Sequence, residues 1–312
     1  MRLLVLGAGG IGGYFGGRLA ESGADVTFLV RPRRREQLER DGLRIESPVG
    51  NMSLPVTSVL SSGVSNDYDF VLLTSKAYDL DSAMDAIAPA MGGACTVVPL
   101  LNGIQHLERL DARFGRANVM GGACSISVTL QRDGVIRHAD ALQRIVIGER
   151  DRSRTKRAQV LVDALSRTSL EWQLAEDIEQ TMWEKVAFLS TLAALTCLFR
   201  ANSGEIIAAP GGLAAIERTL AANYEILTRE GHPPRAAAIE FDRKTLMNPD
   251  GKRSASMLHD LEAGGAVESD HIVGFMLERA RAHAVDDTML SIAFTHLKAY
   301  EARRAANRLP SA

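Results

Sequence analysis

The sequence has 312 residues, of which 46% are hydrophobic and 24% charged, with a formal net charge of −2. That length suits two domains, and the charge gives no electrostatic support to nucleic-acid or membrane-surface binding. Cys95, Cys124 and Cys197 are scattered without a CxxC pair, so neither a disulfide framework nor a zinc site is expected, and a cytoplasmic protein is.

Residues 1–150 alternate short apolar runs with helical stretches. Arg2–Leu6, Asp25–Val30, Phe70–Thr74, Thr96–Leu100 and Val119–Gly122 read as buried strands bounded by Gly, Asp or Asn. The first run is too short for a signal segment and flows into glycines. Gly12–Ser22 carries a helical pattern closed by Gly23. This βαβ rhythm predicts an α/β fold with a doubly wound parallel sheet. Ile126–Gln131, Val135–His138 and Gln143–Ile147 alternate like antiparallel strands and are expected to extend the sheet edge. Residues 154–167 read as an amphipathic helix, and Trp172 as part of a last short strand. Past Asp177 the chain reads as helical, broken near Gly204, Pro210-Gly211-Gly212, His232-Pro233-Pro234 and Pro249-Asp250-Gly251. The apolar stretch Val186–Phe199 is shorter than the roughly 20 residues of a membrane span and fits a buried helix. The domain boundary is placed near residue 170, giving domains 1–170 and 171–312. The tail Arg303–Ala312 is expected to fray.

Gly7-Ala8-Gly9-Gly10-Ile11-Gly12 fits G-x-G-x-x-G between a strand and a helix, the context that makes the pattern meaningful. The first glycine permits a tight turn, the second lets backbone approach a pyrophosphate, and the third lets helix and strand pack closely. A helix N-terminus then adds N–H donors and partial positive charge. At the end of the second strand, where an acid would bind a ribose 2′-hydroxyl, the chain has Arg31. A guanidinium there offers a forked set of donors to a 2′-phosphate, and no acid precedes Glu36. NADP(H) is therefore the expected cofactor; a solvated basic helix start is the alternative. Lys76 and Asn102 follow the next two strands, at the carboxyl ends where such sheets bind ligands.

In the second half Lys185 has Thr181, Met182, Phe188 and Leu189 at helical spacing. An apolar setting penalises the ammonium and so suits a proton donor near neutral pH. Periodicity by itself favours the other reading, a lysine that snorkels to solvent. Ser254 to Asp260 and Gly264 to Asp270 supply hydroxyls, a histidine and carboxylates. His259 and His283 lack metal-ligand spacing, so hydrogen-bonded or solvated histidines are expected and no metal.

With these residues in place, nearly the whole chain resembles the ketopantoate reductase (2-dehydropantoate 2-reductase) family. The matching pieces are Leu6 to Gly12, Leu29-Val30-Arg31, Ser75-Lys76-Ala77, Leu101-Asn102-Gly103, Trp183-Glu184-Lys185 and Ser256 to Asp260 with Glu268. The resemblance implies an N-terminal Rossmann domain and an all-α C-terminal domain that carries substrate and catalysis. It implies reduction of a 2-keto acid, first of all 2-dehydropantoate in pantothenate biosynthesis, by NADPH. Under it Lys185 gives a proton to the keto oxygen, and Glu268 binds the substrate hydroxyl and organises that lysine. Asn102 lies near nicotinamide and substrate, Ser256 binds the substrate carboxylate, Ser203 contributes to the substrate site, and Lys76 lies near both ligands. Family asparagines one and two turns past the lysine are replaced by Leu189 and Ala193, and the glutamine of the Ser-Met segment by His259. Each lost polar partner is worth about 0.5–1.5 kcal/mol to a polar substrate. A more apolar keto acid is thereby favoured. Other readings are a 3-hydroxyacid or opine-type dehydrogenase, and a non-catalytic NADP(H) sensor. A homodimer is the base-rate expectation.

Overall fold

The computed structural model describes residues 1–309. The strands are β1 (Arg2–Leu6), β2 (Asp25–Leu29), β3 (Leu43–Glu46), β4 (Met52–Leu54), β5 (Thr57–Val59), β6 (Phe70–Leu73), β7 (Thr96–Pro99), β8 (Gly121–Leu130), β9 (Val135–Gly148) and β10 (Glu171–Leu174). The helices of the first half are α1 (Gly10–Glu21), α2 (Pro32–Asp41), α3 (Leu80–Ile87), α4 (His106–Phe114) and α5 (Lys156–Leu165). Those of the second are α6 (Ile178–Phe199), α7 (Ser203–Ala208), α8 (Gly212–Arg229), α9 (Ala236–Leu246), α10 (Ser256–Glu262), α11 (Phe275–Ala282) and α12 (Thr288–Ala305). Contacts group these into two compact units, one of Met1–Leu101 and His106–Thr181, the other of Asn102–Gln105 and Met182–Ala312.

The first unit is built on a parallel sheet of order β5-β2-β1-β6-β7. Its centre is set by burial on both faces: Leu3, Leu4 and Val5 of β1 are all buried, and Leu4 pairs with Thr27 on one side and Val71 on the other. Such near-continuous apolar runs are what a doubly covered parallel sheet requires. The expected edge extension is not what forms. β8 and β9 leave this sheet and join β10, β3 and β4 in a second one, ordered β10-β9-β3-β4 with β8 on β9. The stretches 135–138 and 143–147 are halves of the single strand β9, separated by an irregularity where Ile126 pairs with Gln143 but Val128 with His138. Buried His138 braces it, contacting the Leu142 carbonyl through Nε2 at 3.1 Å and Ser47 Oγ through Nδ1 at 2.9 Å.

Helix α1 lies against both sheets. A Cβ on Gly16 would meet Phe28 and Val5, and one on Gly17 would meet Leu43 and Met52. Glycine in a helix interior costs roughly 0.5–1 kcal/mol, and here it is the condition for close packing on two sides. The core around α1 includes Phe15, Phe28, Ile136, Ile147 and Leu161, so the second sheet and α5 share it.

The second unit is helical. Asn202 caps α7 in a reciprocal box with Glu205, whose backbone N–H donates to Asn202 Oδ1 at 3.0 Å. Buried Asn223 of α8 donates to Thr191 Oγ1 of α6 at 2.8 Å, a polar tie between apolar helices. By length and composition α6 could cross a membrane, yet 72% of its most apolar window is buried inside the protein. The expected fraying of the tail does not begin at Arg303: α12 runs to Ala305, and Arg304 donates to the Gly264 carbonyl at 3.0 Å. Residues 310–312 of that tail lie outside the described residues.

Candidate active site

In the first unit the glycine turn follows β1 directly. Gly7 sits at φ +89°, where side chains are strained, and its N–H donates to the Leu29 carbonyl at 2.8 Å, tying β1 to the end of β2. A Cβ on Gly12 would collide with the Gly7 carbonyl and the Thr74 hydroxyl, and that hydroxyl already donates to the Leu6 carbonyl at 2.7 Å. The ends of β1 and β6 are thus clamped together under the turn. On its open side a Cβ at Gly9 would meet nothing within 4 Å, and Gly9 gives α1 no side-chain cap. The first N–H groups of α1, at Gly10, Ile11 and Gly12, belong to the set that a helix cannot satisfy internally. Backbone donors beside an uncrowded glycine fit a dinucleotide pyrophosphate, and Ala8 lies in the same turn.

Arg31 stands at the N-cap of α2, its side chain 81% exposed. The sequence showed no competing acid before Glu36, but the fold brings one from elsewhere: Asp79 Oδ2 lies 3.4 Å from Arg31 Nη2. An exposed pair at that distance is weak and leaves the guanidinium open to a phosphate. Arg34, one helical turn on, reads in the sequence only as one of the clustered arginines after Arg31. Its Nε donates to the Ala8 carbonyl at 3.0 Å and its Nη1 to the Gly134 carbonyl at 3.1 Å, so it holds the glycine turn to the β8–β9 connection. Burial, and secondly the Arg44 charge, draws its pKa below the usual guanidinium value. The three-residue spacing from Arg31 was the available signal. Lys76 is half-buried just past β6, which lies beside β1 in the sheet.

In the second unit Lys185 is half-buried on α6, and its Nζ donates to Asn102 Oδ1 at 3.2 Å. The two residues are 83 positions apart, and Asn102 belongs to this unit despite its place after β7. The residues before Lys185 fix the helix around its axis. Trp183 stacks on His232 with ring centres 5.5 Å apart, and packs against Phe275 at 5.7 Å. Glu184, buried, accepts from the backbone N–H of Arg235 and from its guanidinium Nε, both at 2.9 Å, and from Nη2 at 2.5 Å. Three consecutive side chains therefore engage three different segments, about 100° apart around the helix.

Glu268 is buried in the segment leading into α11, and Ser256 is exposed at the first position of α10. Ser203 is different. It is 2% exposed, its Oγ makes no hydrogen bond among the described residues, and it lies against Gly251. Leu189 is half-buried one turn past Lys185, Ala193 is buried, and Phe188 packs on Phe241, which is 56% exposed. His259 pairs with Ser254 Oγ at 3.0 Å and His283 with Glu230 at 2.7 Å, so both are hydrogen-bonded. Among the described residues no His, Cys, Asp or Glu cluster could hold a metal ion. Sequence reasoning also missed Asp242. It is buried, accepts from Tyr224 at 2.9 Å, and is pushed up to about 7, chiefly by burial and further by the Glu184 charge.

A Rossmann-type unit with a glycine turn, together with a helical unit carrying a lysine–asparagine pair, defines a nicotinamide-dependent oxidoreductase. Residues 3–152 match the family model described as ketopantoate reductase PanE/ApbA, and 177–301 match its C-terminal model; the chain belongs to this family. The family reduces 2-keto acids, so the chain is an oxidoreductase acting on a CH–OH group. It is 37% identical over 304 residues to the uncharacterized oxidoreductase YkpB of Bacillus subtilis, spanning 97% of this chain and 100% of that one. A 2-dehydropantoate 2-reductase of Mesorhizobium japonicum is 28% identical, covering 90% of this chain and 92% of its own. In fold it is similar to a PanE/ApbA family ketopantoate reductase of Ralstonia eutropha (TM-score 0.88, 22% identity, 98% of this chain and 100% of that one). It is also similar in fold to D-mandelate dehydrogenase (TM-score 0.86, 20% identity, 98% of this chain and 100% of that one).

Proposed function

We propose that the protein reduces a 2-keto acid to a 2-hydroxy acid with NADPH, with 2-dehydropantoate the first substrate to test and a more apolar relative the second. The observation that carries this reading is the bond from Lys185 Nζ to Asn102 Oδ1. It holds a half-buried ammonium in a fixed place, in a family whose reaction needs a proton at a carbonyl oxygen. When bound, the nicotinamide supplies the hydride. The chain's own residues do the rest. Lys185 stabilises the negative charge that grows on the keto oxygen and then gives it a proton, an interaction strongest in the transition state. Asn102 orients the ammonium. Glu268 accepts from the substrate hydroxyl and Ser256 binds its carboxylate, with Ser203 and Lys76 as further contacts. Gly7, Ala8, Gly9, Gly10, Ile11 and Gly12 receive the pyrophosphate, and Arg31 receives the 2′-phosphate.

Leu189, Ala193 and the Phe188–Phe241 pair line α6 with carbon beyond Lys185, which favours an apolar substituent on the keto acid over a hydroxylated one. A cytoplasmic homodimer acting in pantothenate biosynthesis completes the reading; the free, buried cysteines are consistent with a reducing compartment. The test is Lys185→Ala. Turnover should fall by about 10²–10⁴-fold, the usual contribution of a positioned acid, while NADPH titration stays normal. An active variant overturns the assignment. A screen of NADPH oxidation across 2-keto acids, 2-dehydropantoate included, identifies the substrate.

A further inference from the structure

Gly103 follows the asparagine that holds Lys185. It is buried at φ +84°, a conformation that favours glycine. The three atoms nearest to a side chain at this position all belong to one residue. A Cβ there would lie 2.8 Å from His271 Cδ2, 2.9 Å from His271 Nε2 and 3.1 Å from the His271 carbonyl oxygen. The edge of a buried imidazole is thus wedged against the turn Asn102–Gly103.

The segment that supplies this wedge is irregular and well anchored. Asp270–Gly274 forms a π-turn just before α11, beginning two residues after Glu268. Single π-turns inside helices commonly mark functional sites, because the extra residue re-aims the side chains around it. Its other side is fastened to α12. Ser269 Oγ donates to Glu301, Lys298 donates to Asp270 Oδ2 at 2.9 Å, and Phe294 fills the place where a Gly274 Cβ would stand. His271 therefore sits on a braced element and bears on the backbone turn at Asn102–Gly103.

We propose that His271 is a positioning residue for Lys185, acting through Asn102 by setting the backbone of the Asn102–Gly103 turn. The proposal rests on reading Lys185 as the proton donor. A flat, rigid ring edge fixes the turn; a smaller side chain lets Asn102 Oδ1 drift from the ammonium. Misplacement by about 1 Å at a reacting centre can cost on the order of 10²-fold, and a partial relaxation should cost less.

The experiment is a double-mutant cycle of His271→Ala and Asn102→Ala with two readouts. One is kcat and KM for NADPH oxidation with the substrate found by the keto-acid screen. The other needs no substrate: the titration of the Lys185 amine, followed by NMR of reductively ¹³C-methylated protein and assigned by the signal missing in Lys185→Ala. His271→Ala should lower kcat by roughly 10-fold, within the range a sub-ångström shift allows, with NADPH affinity unchanged. It should move the Lys185 titration in the same direction as Asn102→Ala. In the Asn102→Ala background it should do neither, and His271→Gln should recover much of the loss. If His271→Ala fails to fold, His271→Gln and His271→Asn carry the same cycle. Losses that multiply independently of Asn102, or an unmoved Lys185 titration, overturn the proposal. Turnover surviving in Lys185→Ala overturns instead the reading of Lys185, and the NMR cycle still decides whether His271 acts on that amine.

Discussion

The site proposed in the first unit is made of backbone groups; the one proposed in the second is made of side chains. At the glycine turn the donors are N–H groups at the start of α1, and the residues around them matter for their small size and allowed φ. At Lys185 the functional group is an ammonium held by an amide 83 positions away, and its helix is set by Trp183 and Glu184 gripping other segments. Backbone sites tolerate variety in everything except a few glycines. Side-chain sites depend on several long-range contacts at once, so a family can keep the first while altering the second, which is the role proposed for Leu189 and Ala193.

The comparison can be broken most forcefully at Arg235. Its removal takes the guanidinium donors away from buried Glu184; Arg235→Ala should destabilise the protein by about 2 kcal/mol and lower turnover, measured by chemical denaturation and steady-state kinetics. Unchanged stability would mean that the pair does not set the helix. At the nucleotide end, Arg31→Ala should weaken NADPH binding by about 10-fold or more, the scale of one lost charge-assisted bond, and leave NADH nearly unaffected. Arg34→Ala, which loosens the turn itself, should weaken both alike; fluorescence titration separates the two patterns. In the substrate half, Leu189→Asn should improve kcat/KM for 2-dehydropantoate by a factor of about 2–10, the worth of one hydrogen bond; no change or a loss counts against the apolar-pocket argument.

The smallest effect concerns pH. Asp242 is raised to about 7 in the fold against an ordinary carboxyl value of about 4. The native state therefore holds this proton more tightly than the unfolded chain, and stability from Asp242 declines as pH rises from about 4 to 7. Asp242→Asn keeps an acceptor for Tyr224 and removes the titration. Its thermal midpoint should match or exceed wild type at pH 8, and its pH dependence between 5 and 8 should be flatter than that of the wild type.

The contrast also explains what could be read in advance. β1, β2, β6 and β7 were legible within a residue because continuous apolar runs bounded by turn residues mean little else. β3, β4 and β5 were missed: each is three or four residues long, with charged or small polar positions, and exists because β9, β3 and β2 respectively offer partners. The second sheet was misread as an extension for the same reason, since alternation shows that a strand has a solvent face and not which sheet it joins. At the site, the glycine turn and Arg31 announced themselves by local spacing. The Lys185–Asn102 bond, the Glu184–Arg235 pair, buried Asp242 and the His271 wedge did not, because each depends on segments that meet only after folding.

The first turn of α2 separates two arginines that a sequence reader would treat as one basic patch. Arg31 is held loosely by a single carboxylate, whereas Arg34 is woven into two backbone carbonyls from different parts of the unit. On the proposed cofactor reading, residue 31 is the interchangeable part for retuning which dinucleotide is accepted, and residue 34 belongs to the frame. A library varied at both would mix loosened turns with altered cofactor choice and blur the two effects.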